Sequence, residues 1–264
     1  QGFRVQSGGQ FTAEIDPSLA STQLASVCAA RQTAAMDSPT TNTTIAGVEE
    51  NAVEDATTPL RQTQRLTWSD LPAPLQALLL DHEATVQDAQ QDANGETLVF
   101  ATDAALLPLD DNTHSDIYQY APATEALSLI SLGQDWRAGN APSAAPRLQS
   151  EGGAILFQST ATNLVSGEQN AFSQLYVHDP DARTNRRLTS TETQSPATGD
   201  SGQALLAGDW ILFRTEADDL HSAGPGLYRE HLHTGLREPV GLDTWGQQDP
   251  SASRPAADAA GTWI

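Results

Sequence analysis

The stretch "LDDNTHSD", Leu109–Asp116, brings Asp110, Asp111, Asn112 and Asp116 into one short loop. Carboxylate and carboxamide oxygens at that density are hard donors, and the cation they suit is Ca²⁺. The matching loop of a later repeat, "VSGEQNAFSQ", keeps only Glu168 and Asn170, so the donor set does not recur. A solvated acidic loop is the plainer reading. His231 and His233 form a second donor pair. On a strand, residues i and i+2 face the same side, which places both imidazoles for one metal ion. A third ligand, His221 or Glu230, has to be brought round by the fold; otherwise the pair is an exposed strand end beside a turn. Cys28 is the only cysteine, so no disulfide forms within the chain, and it reads as a small structural residue. No Gly-rich loop follows a strand and opens a helix, so nucleotide binding has no support. Beyond the Ca²⁺ candidate no cofactor is expected.

The elements that position these loops come in copies. Leu98-Val99-Phe100, Ile155-Leu156-Phe157 and Ile211-Leu212-Phe213 are equivalent apolar strands, 57 and 56 residues apart by their Phe. A small hydroxyl residue follows each, at Thr102, Ser159 and Thr215, and a turn precedes each, in "DANGE", "SEGGA" and "LAGDW". Gly in such turns supplies the positive φ that tight hairpins need. A second strand repeats as Ile117-Tyr118, Leu175-Tyr176 and Leu227-Tyr228, followed by a polar turn and a third strand, "LSLIS", "RRLTS" or "LREPV". "RQTQRLTW", from Arg61, has the form of that third strand from an earlier copy. "AGTWI" at the end aligns with "AGDWI", so Trp263 matches Trp210.

Short strands joined by short turns pair antiparallel, and a small antiparallel sheet recurring at roughly 50–60 residues is a propeller blade. A β-sandwich has no need of the same Phe–loop–Tyr–turn–Thr order three times. The fold class is therefore an all-β propeller of antiparallel blades. We expect residues 60–264 to hold the blades, the last one truncated, and residues 1–59 to be an N-terminal segment. That segment carries the strand-like "FRVQS" and "QFTAEID", a candidate short helix in "SLASTQLASVCAARQTAAM", and a Thr-, Ala- and Glu-rich linker. "LPAPLQALLLDHEATVQ" is an insertion of about nine residues relative to the later copy, room for a helical turn. The single strand at Trp263 needs a cover, supplied by the N-terminal strands, by residues beyond Ile264 or by a neighbour. We expect a longer parent chain with an incomplete ring here; pairing of Trp263 with residues 3–16 is the alternative.

The strings "EGGAILFQSTATNLVSGEQNAFSQLYVHDPDARTNRRLTS" and "ANGETLVFATDAALL…SDIYQYAP" resemble TolB-type propeller repeats. Those read as a Ser-Pro-Asp-Gly turn, an apolar strand ending Phe-x-Ser, an Asp-(Ile/Val)-Tyr-x-x-Asp strand and Arg-Leu-Thr. The resemblance covers about Arg61 to Ile264 and is fullest over Glu151–Ser190. The Ser-Pro-Asp-Gly turn is degraded throughout, and "LREPV" lacks the Arg-Leu-Thr form. The resemblance implies an exported bacterial protein, periplasmic or extracellular, with a protein partner.

Two further stretches resemble known motifs. "GDSGQ", Gly199–Gln203, is similar to the loop around a chymotrypsin-type nucleophile, but Gln203 stands where a Gly belongs and no Ala-Ala-His-Cys segment precedes it. It reads as a blade-joining turn. "DAAGTW", Asp258–Trp263, resembles the sialidase Asp box, with Ala256 in place of Ser and the Gly one place late. That box is a hairpin motif and marks no catalytic site. Gly-x-Ser-x-Gly is absent, so no hydrolase nucleophile elbow lies in these residues.

Charge narrows the partners. The 264 residues carry 34 Asp and Glu against 13 basic residues, all of them Arg, for a net charge of −21. Phosphate contacts need a basic face, so nucleic acid is disfavoured as a partner, as is an anionic membrane surface. No apolar run approaches the length of a membrane-spanning helix, so no membrane insertion is expected. The acidity suits a solvated surface and an exported or salt-adapted bacterial protein. The chain begins at Gln1, so either a signal sequence has been removed or the chain starts further upstream. We expect a non-catalytic binding or scaffold module presenting loops to a protein, peptide or glycan. The alternative is the propeller portion of a larger hydrolase, prolyl-oligopeptidase-like or a glycosidase, with catalysis outside this chain.

Overall fold

The computed structural model describes residues 63–242 except 151–152 and 168, together with residue 248. "FRVQS", "FTAEID", Cys28, the candidate helix and linker before residue 60, Glu168 and the strand at Trp263 lie outside the described residues.

Three antiparallel sheets follow one another along the chain, each with its strands in sequence order. Blade A contains β1 (Gln64–Arg65), β2 (Gln87–Gln91), β3 (Leu98–Thr102), β4 (Asp116–Ala121) and β5 (Ala126–Leu129). Blade B contains β6 (Ser143–Leu148), β7 (Ile155–Ser159), β8 (Gln174–Asp179) and β9 (Thr184–Arg187). Blade C contains β10 (Ser201–Ala207), β11 (Trp210–Thr215), β12 (Gly226–His231) and β13 (Arg237–Val240). These are β-propeller blades. The strand ahead of each Phe strand, β2, β6 or β10, is the element that sequence periodicity does not show. Each of them is broken by a bulge at the same place, where Asp88, Ala145 and Gln203 have φ of 51°, 53° and 52°. The bulge destroys the alternation that marks a strand.

The Phe and Tyr register is as expected. Phe100 pairs across the ladder with Tyr118, Phe157 with Tyr176 and Phe213 with Tyr228. Their rings stack at centroid distances of 5.9, 5.6 and 6.0 Å, and all six side chains are buried. In blades B and C these pairs face the preceding blade. Phe157, Ile155 and Tyr176 pack on Val99, Ala101 and Ile117 of blade A. Phe213, Ile211 and Tyr228 pack on Leu156, Leu175 and Val177 of blade B.

Blade A has its aromatic face covered differently. Leu66, Leu71 and helix α1 (Ala73–Asp81) lie against Phe100, Tyr118 and Tyr120. Pro74 in the first turn presets helical φ where no N–H is needed. Leu75 and Leu79, one turn apart, are fully buried against the blade, while Leu80 faces out. The insertion foreseen as a helical turn is thus a nine-residue helix. Gln64–Arg65 is not the outer strand of an earlier copy: it pairs with β2 and joins blade A's inner edge. A two-residue strand carries too little pattern to tell which sheet it joins.

One buried polar device ties each outer strand's exit to the next strand in. The N–H groups of Ile117 and Leu175 donate to the hydroxyls of Ser131 and Thr189, at 2.9 and 3.1 Å. Those hydroxyls donate in turn to Asp116 and Gln174. In blade C, Gly226 has no side chain and Gln248 Oε1 accepts the Leu227 N–H at 3.2 Å. A Cβ on residue 226 would collide with that Gln248 side chain.

Candidate functional site: a groove between the first two blades

Strand direction alternates, so the β3–β4, β5–β6 and β7–β8 loops emerge on one face and the β4–β5 and β8–β9 turns on the other. A groove of about 770 Å³ runs between blades A and B and is lined from both faces. One wall is β5, with Leu127, Ser128, Leu129 and Ile130 in succession; the other is His178, Thr184 and Asn185. Leu109 and Trp136 line its mouth and are 47% and 70% exposed.

The groove exists because two side chains are small. Registers align Ser128, His178 and Asn185 at the A/B boundary with Arg186, Glu230 and Arg237 at the B/C boundary. At B/C, Glu230 is buried between Arg186 at 3.1 Å and Arg237 at 2.7 Å. Arg237 also donates to the carbonyls of Leu188 and Ser190. At A/B, the Asn185 amide donates to the equivalent carbonyls, Ile130 and Leu132, at 2.9 and 3.0 Å. The carbonyl-capping job is kept, the His178 imidazole stands where the carboxylate does, and the space taken by two guanidinium groups is left open.

Asn185 also sets the chemistry of His178. Its NH₂ is committed to two carbonyls, so its Oδ1 faces His178 Nδ1 at 3.0 Å. An acceptor there puts the proton on Nδ1 and leaves Nε2 as the acceptor of the neutral ring. Burial holds the His178 pKa below the usual imidazole range, against the Asn185 hydrogen bond and Asp179. His178 is therefore a neutral polar contact in an apolar cleft.

Trp136 is held in a left-handed backbone with φ 61°. Its loop is closed by the Leu132–Ala138 bridge and by Gly133 N–H donating to Arg137 O at 2.7 Å. The same loop in the next blade, closed by Ser190–Pro196, has Gln194 at φ 66°. A large aromatic side chain gains nothing for folding there: the position is strained for a non-Gly residue and the ring is in water. Exposed Trp136 and Leu109 thus stand together at the edge of an apolar cleft. Sequence reasoning passed over Trp136; the signal was a Trp inside the polar turn "GQDWRAG".

The acidic loop is divided among separate protein partners. Tyr118 Oη donates to buried Asp110, and Ser131 Oγ to buried Asp116. Asp111 pairs at the surface with Arg137 at 2.7 Å. Asn112 Nδ2 donates to Gly139 O at 3.2 Å and lies 3.5 Å from Asp116. No group of three His, Cys, Asp or Glu side chains among the described residues is arranged to hold a metal ion. His231 ends β12 with its ring edge-on to Trp210, and His233 lies in the following turn beside Asp209; the two rings meet edge-on at 5.9 Å, with His231 Nδ1 accepting the His233 N–H at 3.3 Å. In "GDSGQ", Asp200 accepts the Ser173 N–H at 2.8 Å and the Ser201 hydroxyl pairs with Thr215 inside the sheet, as a blade-joining turn requires.

Burial pushes the Asp116 pKa up to about 7, with Asp110 adding to the rise; Ser131, Asn112 and the Gly139 backbone oppose it. The folded state thus binds a proton that the unfolded chain releases. This contribution to stability is complete below the ordinary Asp range and is lost as pH rises through 7. Between pH 5 and pH 8 it amounts to about 2–3 kcal/mol. Urea unfolding at the two pH values should show that loss in the native chain and a flatter profile in Asp116→Asn. Equal slopes in both would show that Asp116 does not carry it.

No protein-family model and no curated protein matches the chain. Among solved structures it is similar to a putative TolB from Agrobacterium tumefaciens, with a TM-score of 0.40 and 15% identity, covering 60% of this chain and 47% of that one. It is similar to the tricorn protease at TM-score 0.40 and 14% identity, covering 67% of this chain and 16% of that one. A puromycin-hydrolyzing peptidase from Mycobacterium tuberculosis gives 0.33 and 14%, covering 59% and 29%. The chain spans less than half the length of each.

Proposed function

We propose that these blades form a non-catalytic binding module of an exported bacterial protein, and that the A/B groove takes a polypeptide partner. The observation that carries this is the contrast between two equivalent boundaries. Arg186, Glu230 and Arg237 fill one, whereas Ser128, His178 and Asn185 leave the other open beneath Trp136. The net charge of −21 with no Lys, and the resemblance to TolB-type repeats, support a periplasmic or extracellular setting. Trp at the mouth of an apolar pocket is a typical energetic anchor of a protein interface.

The test uses peptides recovered from a displayed library of random linear sequences and resynthesised. Trp136→Ala should weaken their binding at least about tenfold, as loss of an anchor residue does. Moving the filled boundary into the open one, with Ser128→Arg, His178→Glu and Asn185→Arg together, should abolish binding while circular dichroism stays unchanged. Peptides that bind both variants like the native chain would place the site elsewhere.

A further inference from the structure

We propose that β5 receives the partner as an added strand: an extended peptide segment of another protein pairs, inside the A/B groove, with the β5 edge that no described strand occupies. This rests on the reading of the groove as a binding site and specifies how the partner is held.

The first observation is directional. Leu127, Ser128, Leu129 and Ile130 all line the groove in succession. Alternate side chains of a strand point to opposite sheet faces, so consecutive residues line one cavity only when the backbone edge itself looks into it. The second is the ladder. Ile130 N–H donates to Ile117 O at 2.7 Å, which fixes the parity of the β4–β5 pair. Ser128 then exchanges both hydrogen bonds with Gln119, and the N–H and C=O of Leu127 and Leu129 point away from the sheet. Beyond Leu129 the edge is closed by Asn185 on the Ile130 and Leu132 carbonyls.

The third is a comparison of outer edges. Strand edges are ordinarily blunted by charge or proline. β9 carries Arg186 and Arg187, and β13 carries Arg237, Glu238 and Pro239. β5, Ala-Leu-Ser-Leu, has neither charge nor proline. The unguarded edge is the one that borders the groove. Strand addition then supplies backbone hydrogen bonds for affinity, and the groove supplies pockets for alternate side chains.

Charge chooses the segment. Glu125 directly precedes β5, Asp135 precedes Trp136, and the whole chain carries −21, against Arg183 as the lone arginine of the lining. The field favours a segment with apolar residues at alternate positions and basic residues flanking them.

Peptides recovered from the displayed random library are resynthesised with single backbone N-methyl groups, position by position, and titrated against the full chain. N-methylation at alternate amides should weaken binding at least about tenfold and change it less than about threefold in between. Leu127→Pro, which deletes one outward N–H, should bind correspondingly worse than Leu127→Ala. Binding that needs Trp136 but shows no alternation overturns strand addition and leaves the groove reading standing. Peptides that bind Trp136→Ala unchanged, or Trp136-dependent binding of oligosaccharides with no peptide recovered, overturn both.

Discussion

Phe157→Ala is expected to lower stability by about 3–5 kcal/mol, the cost of a deleted aromatic side chain plus the cavity it leaves. Phe157 is fully buried, stacks on Tyr176 and packs against Val99, Ala101 and Ile117 of the neighbouring sheet. Its surroundings are strands held on both sides by ladders, so the site cannot collapse to fill the void. Phe157→Leu retains most of the volume and should cost about half as much. Guanidinium unfolding followed by fluorescence measures both. A loss below about 1 kcal/mol for the Ala variant would mean that the A/B contact is not a packed core.

The second large effect is expected at Glu230. Its carboxylate is 1% exposed and holds Arg237 and Arg186. Glu230→Ala strands the Arg237 guanidinium, which is itself mostly buried. Removing one member of a buried pair costs about 3–5 kcal/mol. Arg186 is half in water, so solvent screens its share and the expected loss is near the lower figure. Glu230→His with Arg237→Asn copies the pair found at the A/B boundary, and Asn still reaches the carbonyls Leu188 and Ser190. The double variant should recover most of the loss in urea unfolding. If it is no better than the single variant, the two boundaries are not interchangeable designs.

The parts of the fold legible in the sequence were those written in large side chains at fixed offsets. Phe100, Phe157 and Phe213 with Tyr118, Tyr176 and Tyr228 announced the blades because each must be buried and each has one partner across a ladder. The strand ahead of each Phe strand was hidden because Asp88, Ala145 and Gln203 take left-handed φ and break its period, while the neighbouring Pro146 and Gly202 read as turn residues rather than as strand. The acidic loop advertised oxygen donors, but which way an Asp points depends on partners such as Tyr118 and Ser131, distant in sequence. The groove was hidden for another reason. It is made by residues that are small relative to their counterparts, and Ser128 cannot be compared with Arg186, or Asn185 with Arg237, until the register is known.

The one-sided placement of the aromatic pairs gives assembly a direction in time. Strand pairing among the described residues joins sequence neighbours only, so each sheet closes over short chain loops. A chain leaving the ribosome exposes α1 and then blade A, B and C in turn. The surface that covers each Phe–Tyr pair is always encoded before the pair itself: α1 before Phe100, blade A before Phe157, blade B before Phe213. Among the described blades, each newly made sheet therefore emerges beside a finished template for its aromatic side, and no aromatic pair has to wait for the blade that follows it.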